Sequence, residues 1–246
     1  MVCISQARLN SYRLPSKVLK PILGKPMLWW HLARLKQARL VDKVMLAVAD
    51  EPNAHLLTDI ADELGIGWVR GSETDVLERF RLAVGKADAG TVIRVTSDCP
   101  VIDPVLIDET VARFAASHHP NPDAGGRPLD YLSIDIARLP RGLDVEALTR
   151  AQFDLAAAQA QEKPDREHVT YFVWRQPERF AVGHWAPDSA DFGHLRLCVD
   201  TPEDFALVAE IYARALGPID ASRQSLPEGW CFGWRRAVEL AAALRA

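Results

Sequence analysis

The sequence predicts an α/β protein built on a doubly wound, mostly parallel β-sheet. Short apolar runs alternate with amphipathic stretches of about 10–15 residues through the first two-thirds of the chain. Two runs, 43–49 (KVMLAVA) and 91–96 (TVIRVT), are continuous, as expected of strands buried on both faces. Polar clusters follow the runs abruptly, at Gln6-Ala7-Arg8, Ala49-Asp50, Arg70-Gly71-Ser72 and Ser97-Asp98. In parallel sheets the carboxyl ends of the strands hold the ligand.

Taken in order, 2–4 reads as a short strand and 6–24 as a loop. A helix over 27–40 follows, with apolar residues at helical spacing and Pro26 in its first turn. After strand 43–49 come a turn at 50–53, a helix at 55–64 closed by Gly65, and a short strand at 67–69. A helix over 73–86, strand 91–96 and a helix over 105–117 complete the regular part. The Pro- and Gly-rich stretch 118–128 reads as a surface loop. Strands or hairpin pieces are expected at 129–137 and 143–147, an Ala-rich helix at 150–161, and helix or strand at 167–174. Segments 180–185 and 194–199 alternate like strands. Thr201-Pro202-Glu203-Asp204 opens a helix over 201–216, and 234–244 is the last one. No repeat or linker is visible, so 1–246 reads as a single domain with an inserted lobe.

Composition narrows the function. Of 246 residues, 48% are hydrophobic and 25% charged, which excludes disordered and fibrous classes. With 29 Lys+Arg against 33 Asp+Glu, the net charge of -4 argues against generic nucleic-acid binding. The four cysteines are scattered without a CxxC pair, which fits a reducing cytoplasm. No apolar run is long enough to span a bilayer, and the N-terminus does not read as a signal segment.

Residues 6–17 place Arg8, Arg13 and Lys17 directly after the first strand, a set suited to a polyphosphate. Neither a Walker A loop nor GxGxxG is present. Asp98 ends one strand run and Asp200 another; such carboxylates seat Mg²⁺ through phosphate oxygens. The structural alternatives are a cap on the Pro100 turn for Asp98 and an N-cap of the 201–216 helix for Asp200. Gly71 permits close backbone approach to a ligand, while Ser72 or Thr74 is a candidate helix cap. His168 has two open readings, general base or structural histidine beside Glu167. The tryptophans Trp29, Trp30, Trp174, Trp185, Trp230 and Trp234 read as core or interface residues rather than sugar platforms.

The run QARLNSYRLPSKVLKPILGKPML at 6–28, with RGSETDVL at 70–77, DCPVIDP at 98–104, GLDVE at 142–146, REHVT at 166–170 and VDTPED at 199–204, resembles the SpsF-type cytidylyltransferases. These are relatives of the CMP-KDO and CMP-sialic acid synthetases. Two departures stand out: Asn10 and Ser16 stand where that family often has Gly. The resemblance implies a Rossmann-like sheet of the nucleotide-diphospho-sugar transferase (GT-A-like) type, with 129–180 as an acceptor and dimerisation lobe. It implies transfer of CMP from CTP to a sugar, expected to be acidic, with Mg²⁺ as cofactor, in polysaccharide or glycan biosynthesis. Gln6, Ala7, Arg8, Arg13 and Lys17 would then bind the triphosphate side of the nucleotide. Arg70, Ser72 and Asp75 would lie near cytosine and ribose, and Thr96 and Asp98 near ribose and metal, with Asp200 as second metal ligand. Asp144, Glu146, Arg166, Glu167 and His168 would face the acceptor. A cytoplasmic homodimer is expected, with no nucleic-acid or membrane partner. Two alternatives stand beside this. A GT-A-like glycosyltransferase is disfavoured because Cys99-Pro100, not a DxD motif, follows Asp98. The other is a non-catalytic nucleotide-binding subunit.

Overall fold

The computed structural model describes residues 1–118, 127–188, 190–218, 226 and 229–245. Its strands are β1 (Val2–Ala7), β2 (Pro21–Ile22), β3 (Lys25–Pro26), β4 (Lys43–Ala49), β5 (Gly67–Gly71), β6 (Thr91–Thr96), β7 (Tyr131–Ile134), β8 (Glu146–Thr149) and β9 (Val182–Trp185). The helices are α1 (Met27–Leu35), α2 (His55–Glu63), α3 (Val76–Ala87), α4 (Pro104–Ala116), α5 (Arg150–Gln159), α6 (Lys163–Glu167), α7 (Tyr171–Trp174), α8 (Pro202–Leu216) and α9 (Trp234–Arg245). None of them is long and apolar enough to cross a membrane.

Seven strands form one sheet in the order β5-β4-β1-β6-β8-β7-β9. Only β8 runs against its neighbours; the remaining pairings are parallel. Apolar clusters cover both faces. One includes residues of α1, α2, α4, α8 and α9, the other residues of α3, α5 and α7. This is the doubly wound arrangement read from the run pattern. The chain leaves β1 for β4 and β5 on one side and returns to β6 on the other, so the direction of winding reverses between β1 and β6. Ligand crevices form at such a switch point. Antiparallel β8 has a second consequence. Arg94 near the end of β6 lies opposite Glu146 at the start of β8, so Asp144 and Glu146 enter the same rim as Asp98.

Several boundaries differ from the sequence expectation. β1 runs on through Ser5 and Gln6, because a central strand is paired on both sides whatever its side chains. The expected 6–24 loop ends in β2 and the turn at Leu23 and Gly24 (φ +46° and +80°), which leads into β3 to close a short hairpin. α1 stops at Leu35 instead of 40, and the Asp108 carboxylate takes up the Arg39 and Leu40 amides. α3 starts at Val76 because Asp75, not Ser72 or Thr74, accepts from the Glu78 amide as its N-cap. Segment 194–199 is not a strand: a single bridge joins Arg141 and Arg196. Gly142 packs there so tightly that a Cβ would lie 2.5 Å from the Cys198 nitrogen. Segment 167–174 is neither one helix nor a strand; Val169, at φ +49°, separates α6 from α7. Most of the expected loop at 118–128 lies outside the described residues.

One buried polar chain ties the sheet to α1. His31 Nδ1 donates to the Cys99 carbonyl at 2.9 Å, so its Nε2 accepts from the Ser5 hydroxyl at 2.8 Å. Ser5 in turn accepts from Ser97 at 2.7 Å. Burial drives the His31 pKa down to about 4. An unfolded histidine titrates near 6.5, so the unfolded chain takes up this proton first. The contribution is complete above that pH and lost as pH falls toward 4. Urea unfolding at pH 7 and pH 5 should show about 2 kcal/mol less stability at the lower pH, and His31→Gln should flatten the difference. An unchanged pH dependence in the variant would contradict the assignment.

Candidate active site

Lys17 is buried, yet its ammonium has three acceptors: the Val199 carbonyl at 2.6 Å, Asp200 Oδ1 at 2.9 Å and Asp98 Oδ2 at 3.3 Å. The loop after β1 supplies the lysine, the end of β6 supplies Asp98, and the segment before α8 supplies Asp200. Arg13 Nη2 reaches Asp200 Oδ2 at 3.0 Å, and Arg196 also donates to that carboxylate. Burial opposes the charge of both aspartates, but Lys17 outweighs it, and both are held below the usual carboxylate range. The capping alternative for Asp200 is not what the fold does. Thr201 caps α8 in a reciprocal box with Asp204, whose carboxylate also takes the Asp200 amide. The Asp200 side chain is thereby turned toward the lysine. Asp98 accepts from Lys17 rather than capping the turn at Pro100.

The loop bearing Arg8 and Arg13 is pinned from beneath. Glu51 accepts the Leu9 and Asn10 amides at 2.5 and 3.0 Å, and Leu9 and Leu14 are buried. Of the two non-glycine departures, only Ser16 occupies left-handed backbone, at φ +53°. A glycine relieves a real constraint there. Asn10 has no positive φ and bonds Glu73 through its amide at 3.0 Å. Arg8 is exposed, with no ion pair among the described residues.

The residues expected near the base sit at the end of β5. Arg70 pairs with Asp50 at 2.8 Å, and Ser72 Oγ accepts the Asp75 amide at 3.0 Å. Asp75, besides capping α3, pairs with Arg166 through two nitrogens at 2.5–3.1 Å. A residue read for the nucleotide and one read for the acceptor are therefore bonded to each other, 91 positions apart. Gln6 Oε1 is buried without a hydrogen-bond partner among the described residues.

A cavity of about 760 Å³ opens beside Asp98 and Asp200 and brings together Thr96, Asp144, Glu146 and His168. Gln6, Ala7, Arg8, Arg13, Lys17, Arg70, Ser72, Asp75, Arg166 and Glu167 do not line it. Burial raises the Asp144 pKa, against the Gly142 amide and Arg141. His168 is exposed at the rim, and its ring makes no hydrogen bond among the described residues. Trp174 also lines this cavity and is 40% exposed, unlike the buried Trp29, Trp30, Trp185 and Trp234.

Other wall residues escaped the sequence reading. Glu146 accepts from Arg94, from Tyr131 at 2.7 Å and from Thr170 at 2.6 Å. Burial would raise its pKa, but Arg94 and the two hydroxyls overcome this and hold it low. Arg94 looked like an ordinary strand residue, and its role becomes visible only from the β6–β8 register. Arg141 and Arg196 lie in irregular segments that carried no motif.

Among the described residues no three or more His, Cys, Asp or Glu side chains gather as a metal cage. Asp98 and Asp200 are a pair sharing one cation, the Lys17 ammonium. Two carboxylates suit a divalent ion that takes its other oxygens from phosphate and water, so the donor set fits Mg²⁺ arriving with a nucleotide. The Arg94–Glu146 pair gives a separate test. Glu146→Ala should cost about 3–5 kcal/mol by stranding a buried charge, read by chemical denaturation. The double variant Arg94→Met/Glu146→Leu should recover much of that loss. A double variant no more stable than the single one would mean that the pair is not coupled.

The chain matches the cytidylyltransferase family over residues 2–221. It is 30% identical over 230 residues to the spore coat polysaccharide biosynthesis protein SpsF of Bacillus subtilis, covering 91% of this chain and 90% of that one. Over 117 residues it is 35% identical to a 3-deoxy-manno-octulosonate cytidylyltransferase of Nitratidesulfovibrio vulgaris, 46% of this chain and 45% of the other. Its fold superposes on a solved cytidylyltransferase from Leptospira borgpetersenii with a TM-score of 0.82 at 24% identity, covering 99% and 94% of the two chains. The resemblance read from the motifs is borne out. Because the match runs from β1 through antiparallel β8 and past α8, it embraces both sides of the crevice, and the chain belongs to the cytidylyltransferase family.

Proposed function

We propose that the protein transfers CMP from CTP to the hydroxyl of an acidic sugar and releases pyrophosphate. The observation that carries this reading is the Lys17 ammonium shared by Asp98 and Asp200 at the switch point, next to a cavity of about 760 Å³, ample for a sugar. Lys17, Arg8 and Arg13 provide positive charge for the triphosphate. Asp98 and Asp200 would hold Mg²⁺, which when bound supplies Lewis-acid stabilisation of charge on the phosphates. In the reaction the acceptor oxygen bonds to the α-phosphorus while the bond from that phosphorus to the pyrophosphate oxygen breaks. Positioning and charge neutralisation carry such chemistry more than covalent assistance does. The hydroxyl proton needs an acceptor on the cavity wall, where Asp144, His168 and His184 are candidate bases, His184 being tied to the Ser133 hydroxyl at 2.8 Å. The 2.5–3.1 Å link between Arg166 and Asp75 joins the acceptor side to the nucleotide side, supporting a role in alignment.

Arg141 and Arg196 on the cavity wall support an anionic acceptor, since guanidinium groups pair with carboxylates. Residues 129–180 supply β7, β8 and α5–α7 and much of that wall, consistent with an acceptor lobe. A cytoplasmic homodimer acting in glycan synthesis completes the reading, and light scattering at working concentration tests the oligomer.

The expected outcome is pyrophosphate release from CTP, Mg²⁺ and a member of an acidic-sugar panel. Asp98→Ala should lower turnover by at least about 100-fold without loss of fold. Absence of both CTP binding and pyrophosphate release would refute the reading, and UTP-selective turnover would move the protein to another nucleotide class. His168→Gln should lower turnover by at least about 100-fold with CTP binding retained if the imidazole takes the proton; unchanged turnover in that variant moves the role to another base on the wall.

A further inference from the structure

Arg141 and Arg196 are paired in an isolated parallel β-bridge, so their side chains leave the backbone on the same side, and both line the cavity. The Arg141 carbonyl fixes this pairing by accepting the Leu197 and Cys198 amides at 2.7 and 3.1 Å. Two guanidinium groups held side by side repel unless each has an anion. Arg141 has Asp144, whose Oδ1 lies 3.3 Å from its Nε. Arg196 uses two nitrogens on two carboxylates: Nη2 pairs with Asp200, and Nε faces Asp204 Oδ1 at 3.5 Å.

Asp200 is therefore engaged by three cations. Its Oδ1 takes Lys17 at 2.9 Å, and its Oδ2 takes Arg13 at 3.0 Å together with Arg196. A divalent ion needs the same oxygens, so cations must give way to it. Lys17 and Arg13 belong to the loop read for the triphosphate, and neither lines the cavity. A nucleotide can take over their charge. Arg196 stands on the cavity wall instead, where the acceptor is expected. Its Asp204 partner is fixed by the capping box of α8, so the Nε end stays tethered while the Nη end can turn.

We propose that Arg196 is a positioning residue that couples the acceptor cavity to the metal carboxylate: it holds Asp200 until the acid group of the acceptor competes for the guanidinium and releases Asp200 to the divalent ion. This rests on the reading that the acceptor is acidic. Arg141, emerging beside Arg196, shares the same acid group, and two planar forks suit one carboxylate. A neutral sugar offers no competing charge and leaves Asp200 paired. Discrimination against it is thus made at the metal carboxylate as well as at the point of contact. The coupling is reciprocal, so the divalent ion tightens the acid by the factor with which the acid tightens the ion.

Electron paramagnetic resonance should measure Mn²⁺ affinity in the presence of α,β-methylene-CTP, which blocks transfer. With no sugar added, Arg196→Gln should bind Mn²⁺ at least about 5-fold more tightly than the unmodified protein, because one competitor for Asp200 is gone. Arg196→Lys keeps the cation and should restore the unmodified affinity. A merely structural arginine predicts the opposite sign, since its loss would loosen the Asp200 segment and weaken Mn²⁺; circular dichroism checks the fold of both variants. 3-Deoxy-manno-octulosonate, or the acid of the panel that supports turnover, should tighten Mn²⁺ by a similar factor in the unmodified protein. Its methyl ester should not, and Arg196→Gln should show no further gain. Unchanged or weaker Mn²⁺ binding in Arg196→Gln, or equal tightening by the acid in variant and unmodified protein, would overturn the coupling. If Arg196→Gln tightens Mn²⁺ but no acidic sugar reacts, the failure lies with the parent reading of the acceptor instead.

Discussion

A single ammonium group shared by two carboxylates organises this molecule. Asp98 and Asp200 each lose hydration where they sit, and two like charges in one crevice resist joint ionisation. Lys17 resolves this by placing its nitrogen within 2.9 and 3.3 Å of them and using its third proton on the Val199 carbonyl. The arrangement joins the loop after β1 to a segment about 180 residues later. It exists only because the winding reverses between β1 and β6 and because Thr201 and Asp204 take over the capping of α8.

The acceptor side depends on the one strand that runs the other way. A parallel strand beside β6 would deliver its carboxyl end to the rim; β8 delivers its beginning, with Glu146 upon it and Asp144 just ahead of it. Glu146 is then consumed by Arg94, Tyr131 and Thr170, and it acts as a fixed, ionised strut in the cavity wall. Asp144, with its pKa raised by burial, has chemical freedom that Glu146 lacks. The two carboxylates of one short motif have divided into a structural and a reactive candidate because only one of them meets a buried cation.

What was legible in the sequence follows from locality. Arg8, Arg13 and Lys17 are neighbours in one loop, and Asp98 and Asp200 end apolar runs, so short-range pattern found them. The Thr201 signature that opens α8 was legible for the same reason. Contacts set by strand register or by long-range docking were not. The Arg94–Glu146 pair needs the β6–β8 register, and the Asp75–Arg166 pair spans 91 positions. Asp75 itself was read as a ligand contact, whereas its local chemistry is that of a helix cap.

The central claim is that Lys17 fills a carboxylate pair which receives a divalent ion together with the nucleotide. Electron paramagnetic resonance with Mn²⁺ as probe tests it directly. The account predicts weak Mn²⁺ binding by the protein alone, marked tightening when CTP is added, and loss of that tightening in Asp200→Asn. Equally tight binding without CTP, or CTP-dependent binding that survives in Asp200→Asn, would contradict it.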